Sequence, residues 1–248
     1  MSELTLPFLA ALFCTFVLAG LVKGVTGMGL PTVAMGMLGA LISPVAAAGL
    51  LLVPSLVTNV WQLFAGQSFR PIARRLWPMM VTIVVGTVAG TSLITTGSAW
   101  TSSALGCVLI AYALYTLFAR QPRVQAKTER WLSPLVGLAT GIVTGATGVF
   151  VVPAVPYLQA LGLSRDDLVQ ALGLSFTVST MALFLGLATH GALNAGNLAL
   201  SVVAIVPALF GMWAGQALRR RISPAAFRRG FLICLILLGL ELALKPLF

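Results

Sequence analysis

Two short segments 121 residues apart hold the residues best suited to chemistry: Gly20-Leu-Val-Lys-Gly-Val-Thr-Gly27 and Gly141-Ile-Val-Thr-Gly-Ala-Thr-Gly148, identical at five of eight positions. Glycine permits positive φ and close backbone approach, and unwound backbone at membrane depth is tolerated only where protein buries it or water lines it. A helix restarting near Met28 or Val149 presents N–H groups and the positive end of its dipole. The Thr26 and Thr147 hydroxyls add donors, and Lys23 adds the only full charge, where the second segment has Thr144. Donors gathered in this way bind anions. The candidate substrate-binding residues are therefore Lys23, Gly24, Thr26, Gly27, Met28, Thr144, Gly145, Thr147, Gly148 and Val149, with the two restarts expected to converge near the midplane. Tight helix packing through the glycines, with Lys23 snorkelling to an interface, is the competing reading.

Other polar residues inside apolar runs are candidates to complete a pocket. Ser55, Thr58, Asn59 and Gln62 share helical spacing, as do Gln170, Ser175, Ser179 and Thr180; Asn59 and Gln170 join the substrate-binding set. Interhelical hydrogen bonding is the plainer role for each. His190, the only histidine, and Glu241, an acid within a span, are the coupling candidates. His190 also reads as a loop residue, and Glu241 as an ion-pair partner of Lys245, four residues on. Ser164 followed by Asp166 and Asp167 reads as a helix cap. Cys14, Cys107 and Cys234 have no paired spacing and read as small buried hydrophobes, so neither a disulfide nor a metal site is expected, and no cofactor.

The elements that must position these residues follow from composition. Of 248 residues, 59% are hydrophobic and 8% charged, against about a quarter charged in a soluble domain. So few charges cannot cover a water-facing surface. Apolar runs recur along the whole chain, and about 20 such residues cross a bilayer core. The net charge of +10 is spread in short clusters between these runs, which follows the positive-inside rule and excludes a nucleic-acid partner. The N-terminus is as apolar as a signal peptide but carries Glu3 in place of a basic start, so it reads as a retained first span.

The chain reads as an all-α polytopic membrane protein of two inverted-topology repeats, each a glycine-broken helical hairpin followed by three transmembrane helices. The first repeat, 1–125, has its hairpin at 5–42 and spans at 45–65, 76–95 and 100–118; the second, 126–248, has its hairpin at 133–163 and spans at 168–189, 197–218 and 227–247. A second internal match, Gly86-Thr-Val-Ala-Gly90 with Gly211-Met-Trp-Ala-Gly215, supports the division. Three basic loops, with Arg70, Arg74 and Arg75, with Arg120, Arg123, Lys127 and Arg130, and with Arg219, Arg220, Arg221, Arg228 and Arg229, are expected in the cytoplasm. The linkers 96–99 and 190–196 carry no Lys or Arg and are expected outside. Only returning hairpins put every basic cluster on one side, and both termini then lie outside.

The doubled opening, Gly20-x3-Gly24-x2-Gly27-x-Gly29 and Thr140 to Pro153, resembles the sulfite exporter TauE/SafE family of membrane permeases, as do the length, the two halves and the central basic loop. The resemblance implies transport of small anions such as sulfite, sulfonates and related organosulfur compounds, with export the better-known direction, in a bacterial inner membrane. The two halves depart from each other after the motif, with Gly29-Leu-Pro31 in one and Val149-Phe-Val-Val-Pro153 in the other, so two nonequivalent half-sites are expected. The expected partners are the anion, the bilayer and, as a possible assembly, a second copy. An anion channel, a proton-coupled uptake permease and a nontransporting accessory protein are the alternatives. Enzymatic function is not expected, because the single histidine and five acids do not group and the glycines follow no strand.

Overall fold

The computed structural model describes residues 6–96, 99–118, 123–219 and 221–245. Glu3, Thr5, Arg120, Arg220, Leu247 and the middle of the 96–99 linker lie outside the described residues. Within them the chain is helical, without strands: α1 (Leu6–Thr26), α2 (Leu30–Leu41), α3 (Pro44–Phe64), α4 (Phe69–Thr95), α5 (Ala99–Phe118), α6 (Ala126–Thr147), α7 (Ala154–Ala160), α8 (Arg165–Thr189), α9 (Ala195–Val203), α10 (Ile205–Leu218) and α11 (Pro224–Leu244). Six spans, with α9 and α10 taken as one, are long and apolar enough to cross a membrane. The protein is a multi-pass membrane protein.

Boundaries follow local chemistry. Ser43 caps α3 through Ala46 N, Ser164 caps α8 through Asp167 N at 3.1 Å, and Ser223 caps α11 through Ala226 N. The helix that carries the apolar run from 76 begins at Phe69, and the one that opens the second glycine segment begins at Ala126. Hydropathy marks only the lipid-crossing part of a helix. The charged first turns of α4 and α6 continue beyond it, where Arg75 Nε lies 2.6 Å from Glu129 Oε1 and Arg75 Nη2 lies 2.7 Å from Oε2. The single span expected at 197–218 is interrupted at Ala204. Pro207 lacks the N–H that the Val203 carbonyl would accept in a continuous helix.

The second glycine segment does return on itself. Val124 N donates to Ala160 O at 2.9 Å, and Arg75 reaches the Leu161 carbonyl, so the chain that enters α6 is back at the same end by residue 161. Gln170 and Arg228 tie the loop after α3 and the end of α5 to this basic end as well. At the other end, Lys245 Nζ donates to Ala40 O at 2.8 Å and Ser103 Oγ to Ala243 O.

The closest packing is between α4 and α6 and between α1 and α10, and glycine makes it possible. A Cβ on Gly20 or Gly24 would lie 2.1 or 2.2 Å from the Ala208 or Met212 carbonyl oxygen, and one on Gly141 or Gly145 2.4 Å from that of Ile83 or Thr87. Each opening segment thus packs on the other internal match: Gly20 and Gly24 against the helix of Gly211 and Gly215, Gly141 and Gly145 against that of Gly86 and Gly90. Outward faces are apolar, with Phe13, Leu18, Trp61, Trp77, Trp131 and Trp213 exposed, as lipid contact requires. The three cysteines are exposed on this surface, which corrects their expected burial; lipid rather than protein covers them.

Candidate functional site

The two chain breaks are built alike. Gly27 has φ 81° and Gly148 φ 71°, and their N–H groups donate at 2.7 Å to Lys23 O and Thr144 O. Met28 N and Val149 N each donate at 3.3 Å to the hydroxyl of the threonine two residues back, Thr26 and Thr147. The surroundings differ. After the first break α2 starts at Leu30, with Gly29 at φ 99° before it and Pro31 in its first turn. After the second, Val149, Phe150 and Val151 are fully buried, the Phe150 ring tilted 55° against that of Phe176 with centroids 5.4 Å apart. The helix restarts at Ala154 and lasts seven residues, which corrects the expected restart near Val149. Gly148 abuts the Met35 side chain of α2, a Cβ there falling 2.8 Å from Met35 Sδ.

One turn before the first break, Lys23 is 3% exposed and lies among neutral groups. Its Nζ donates to Thr58 Oγ1 at 3.1 Å and to Asn59 Oδ1, and Asn59 Nδ2 donates to Thr180 Oγ1 at 3.3 Å. Lys23, Thr58, Asn59 and Thr180 therefore form one buried network joining α1, α3 and α8. Among the described residues no carboxylate bonds Lys23, and the ion pair found is Arg75–Glu129. A cation without counter-charge at membrane depth is costly, and an anion beside it would offset that cost. The hydroxyls of Ser55 on α3 and of Ser175 and Ser179 on α8 are buried without a hydrogen-bond partner.

Above Lys23 a cavity of about 360 Å³ opens at the basic end. Val25, Thr26, Gly27 and Met28 form its floor, and Arg165, Arg219 and Arg228, from three separate elements, lie around it. Gln62 ties together two cavity-lining residues, Gly27 and Val169. Its Nε2 donates at 3.0 Å to Gly27 O and to Val169 O, and its Oε1 is buried without a partner.

The family model for Sulfite exporter TauE/SafE matches residues 12–242 of the chain. The chain belongs to this family. No curated protein and no solved structure matched it.

The TauE/SafE family is one of transporters of sulfite-related anions rather than of enzymes, and the site residues of this member can be sorted on that basis. Lys23, Thr26, Gly27, Met28 and Asn59 fall in or next to the arginine-lined cavity. Gly24 and Gly145 sit within helices, where their missing side chains let α10 and α4 approach. Thr144, Thr147 and Gly148 lie on the closed side, the two hydroxyls bonded to Thr140 O and Val143 O at 2.7 Å. Gln170 holds backbone rather than space: its Nε2 donates to Leu63 O and Gly66 O and its Oε1 accepts from Ser68 N. Glu241 is exposed on α11 and forms no pair with Lys245, which bonds Ala40 O instead; this corrects the expected Glu241–Lys245 pair. His190 is exposed at the end of α8, its Nδ1 2.8 Å from Gly186 O.

Sequence reasoning missed Arg165, Arg219 and Arg228 as site residues, because in the sequence they serve only as markers of orientation or of a helix start. No local spacing announces that residues so far apart share one cavity.

Proposed function

We propose that this TauE/SafE member carries small sulfur oxyanions and sulfonates across the membrane by alternating access between two inverted repeats, with Lys23 as the charge that receives the anion. The observation that carries the reading is a buried lysine held only by neutral groups, one turn behind a cavity bordered by three arginines. Arg165, Arg219 and Arg228 would draw the anion in and raise its local concentration. Lys23 would then exchange the Asn59 oxygen for the anion, leaving Asn59 bonded to Thr180. The unpartnered hydroxyl of Ser55, one turn further along α3, offers the anion a next donor.

The repeat reading draws support from the cross-paired packing of α1 with α10 and of α6 with α4, and from the matched geometry of the two breaks. Asn59 and Thr180, which bond each other, are themselves 121 residues apart, the same offset as the glycine segments. With the basic end in the cytoplasm and both termini outside, as the positive-inside rule directs, the open first break and the sealed second one correspond to an inward-facing state. Exchange of the two environments would produce the outward-facing state. An anion leaving a negative-inside cell gains about 2.3 kcal/mol per charge per 100 mV, so export needs no coupling ion.

Sulfite uptake and efflux in proteoliposomes, with membrane potential and pH gradient set independently, tests the reading. Saturable flux that follows the potential alone is the expected result. Flux that does not saturate would indicate a channel, and no flux of sulfite or any short sulfonate would sink the proposal.

A further inference from the structure

α1 is held to α10 through glycine contacts with backbone, and α11 is held to α5 in the same way, a Cβ on Gly106 falling 2.4 Å from the Gly239 carbonyl oxygen and one on Gly239 2.8 Å from that of Gly106. α11 touches α1 only lightly. The two helices stand apart and leave a groove of about 480 Å³, walled by α1 and α2 on one side and α11 on the other. Its walls, among them Leu18, Val22, Met37, Leu235 and Leu238, are hydrocarbon apart from the Met37 thioether and the Cys234 thiol. Leu18 and Cys234 are exposed, so the groove opens sideways towards the lipid.

This groove adjoins the arginine cavity. Phe231 lines both. Along α1 the walls pass from Leu18, Leu21 and Val22 of the groove to Val25 and Thr26 of the cavity within one helical turn. The first break rests on the joint, since a Cβ on Gly29 would lie 3.2 Å from Val22 Cγ1 and 3.6 Å from Phe231 Cζ. A cationic cavity thus adjoins an apolar trough, and from Phe231 to Leu238 the trough follows about 10 Å of α11.

We infer that the site takes an anionic amphiphile, a sulfonate whose head sits among Arg165, Arg219 and Arg228 and whose alkyl chain lies along the groove between α1, α2 and α11. The inference rests on the anion-transport reading and narrows its substrate class. Charge complementarity selects the head, and the shared Phe231 wall sets the two spaces side by side, so that one molecule reaches both once the Phe231 ring turns aside. Each methylene moved from water into the groove raises affinity by up to about fourfold.

The test is competition against sulfite flux in proteoliposomes by methanesulfonate, butanesulfonate and octanesulfonate, in phosphatidylcholine vesicles with and without phosphatidylglycerol. Half-inhibition is expected at progressively lower concentration as the chain lengthens, by about two- to fourfold per methylene. Gly230→Phe, at a position where an added Cβ meets nothing within 4 Å, puts a ring into the groove and is expected to flatten the series. Cys234→Phe provides a second plug from the same helix. An equally steep series in both plugged variants would mean that the bilayer alone gathers the longer chains. A series that disappears when phosphatidylglycerol is added would assign the groove to a lipid. Either outcome overturns the inference, as does a flat series in the unmodified protein while sulfite still saturates, which leaves the anion-transport reading standing. Absence of sulfite flux removes both.

Discussion

Lys23 donates through Nζ to the side-chain oxygen of Asn59, and Asn59 donates through Nδ2 to the Thr180 hydroxyl at 3.3 Å. One amide thereby joins a buried cation on α1 to α8 and supplies its neutral acceptor. A lysine held in this way can release Asn59 for an anion without leaving a carboxylate behind.

Replacing Lys23 by alanine is expected to lower sulfite flux at least about tenfold, equivalent to roughly 1.4 kcal/mol or more of anion binding. Proteoliposome flux at several sulfite concentrations checks it. Unchanged flux in correctly inserted protein would remove Lys23 from the site.

Asn59→Ala leaves Lys23 with Thr58 as its remaining bonded partner and strands the Thr180 contact. A loss of stability of about 1–3 kcal/mol is expected for the unsatisfied buried groups, seen as a lower thermal midpoint in detergent. Asn59→Asp adds the missing counter-charge, and is expected to keep stability while slowing flux, because the anion must now compete with a fixed carboxylate.

The arginines around the cavity act from its rim. Arg165→Gln, Arg219→Gln and Arg228→Gln are each expected to raise the half-saturating sulfite concentration about two- to fivefold, the size of a partly screened surface interaction. Maximal flux should hold, and the effect should shrink as ionic strength rises. A collapse of maximal flux in any of them would point to a role in the translocation step.

The glycines separate into two classes by experiment. Gly24→Ala and Gly145→Ala place a Cβ 2.2 and 2.4 Å from the Met212 and Thr87 carbonyl oxygens, and overpacking of this kind costs about 1–3 kcal/mol or more. Both are expected to lower folded yield and thermal midpoint. Gly230→Ala, with open space at its Cβ, serves as the neutral control.

Sided labelling checks the state of the two breaks. In a background in which Cys14, Cys107 and Cys234 are serine, Met28→Cys is expected to react with a membrane-impermeant maleimide from the cytoplasmic side and to be protected by sulfite. Val151→Cys, buried behind Phe150 and Phe176, is expected to stay unreactive from that side. Reaction of Val151→Cys from the cytoplasm would contradict the inward-facing assignment.

Much of the architecture was legible without coordinates, because lipid imposes a length and a polarity on every crossing segment. Among the described residues the helices fall within or around the apolar runs, and the Val124–Ala160 bond brings the two ends of the second glycine segment together. Helix ends at Phe69 and Ala126 were not legible from hydropathy, because they extend past the hydrocarbon and are stabilised by the pairing of Arg75 with Glu129. The 121-residue spacing marked both chain breaks, and the only charge in the first segment marked Lys23.

What the sequence determined by itself was therefore local: composition set the solvent, and the glycine–threonine pattern set where the backbone turns left-handed. The tertiary structure decided what each of these residues does, since function here depends on what stands opposite. Gly24 and Gly27 are three residues apart, yet one meets the Met212 backbone and the other ends the helix at φ 81°. Gln170, polar and buried like Asn59, is bound to loop backbone, while Asn59 faces Lys23. Arg165, Arg219 and Arg228 come together only because three distant elements end around one cavity. Such contacts form between segments whose separation in sequence carries no record of their distance in space.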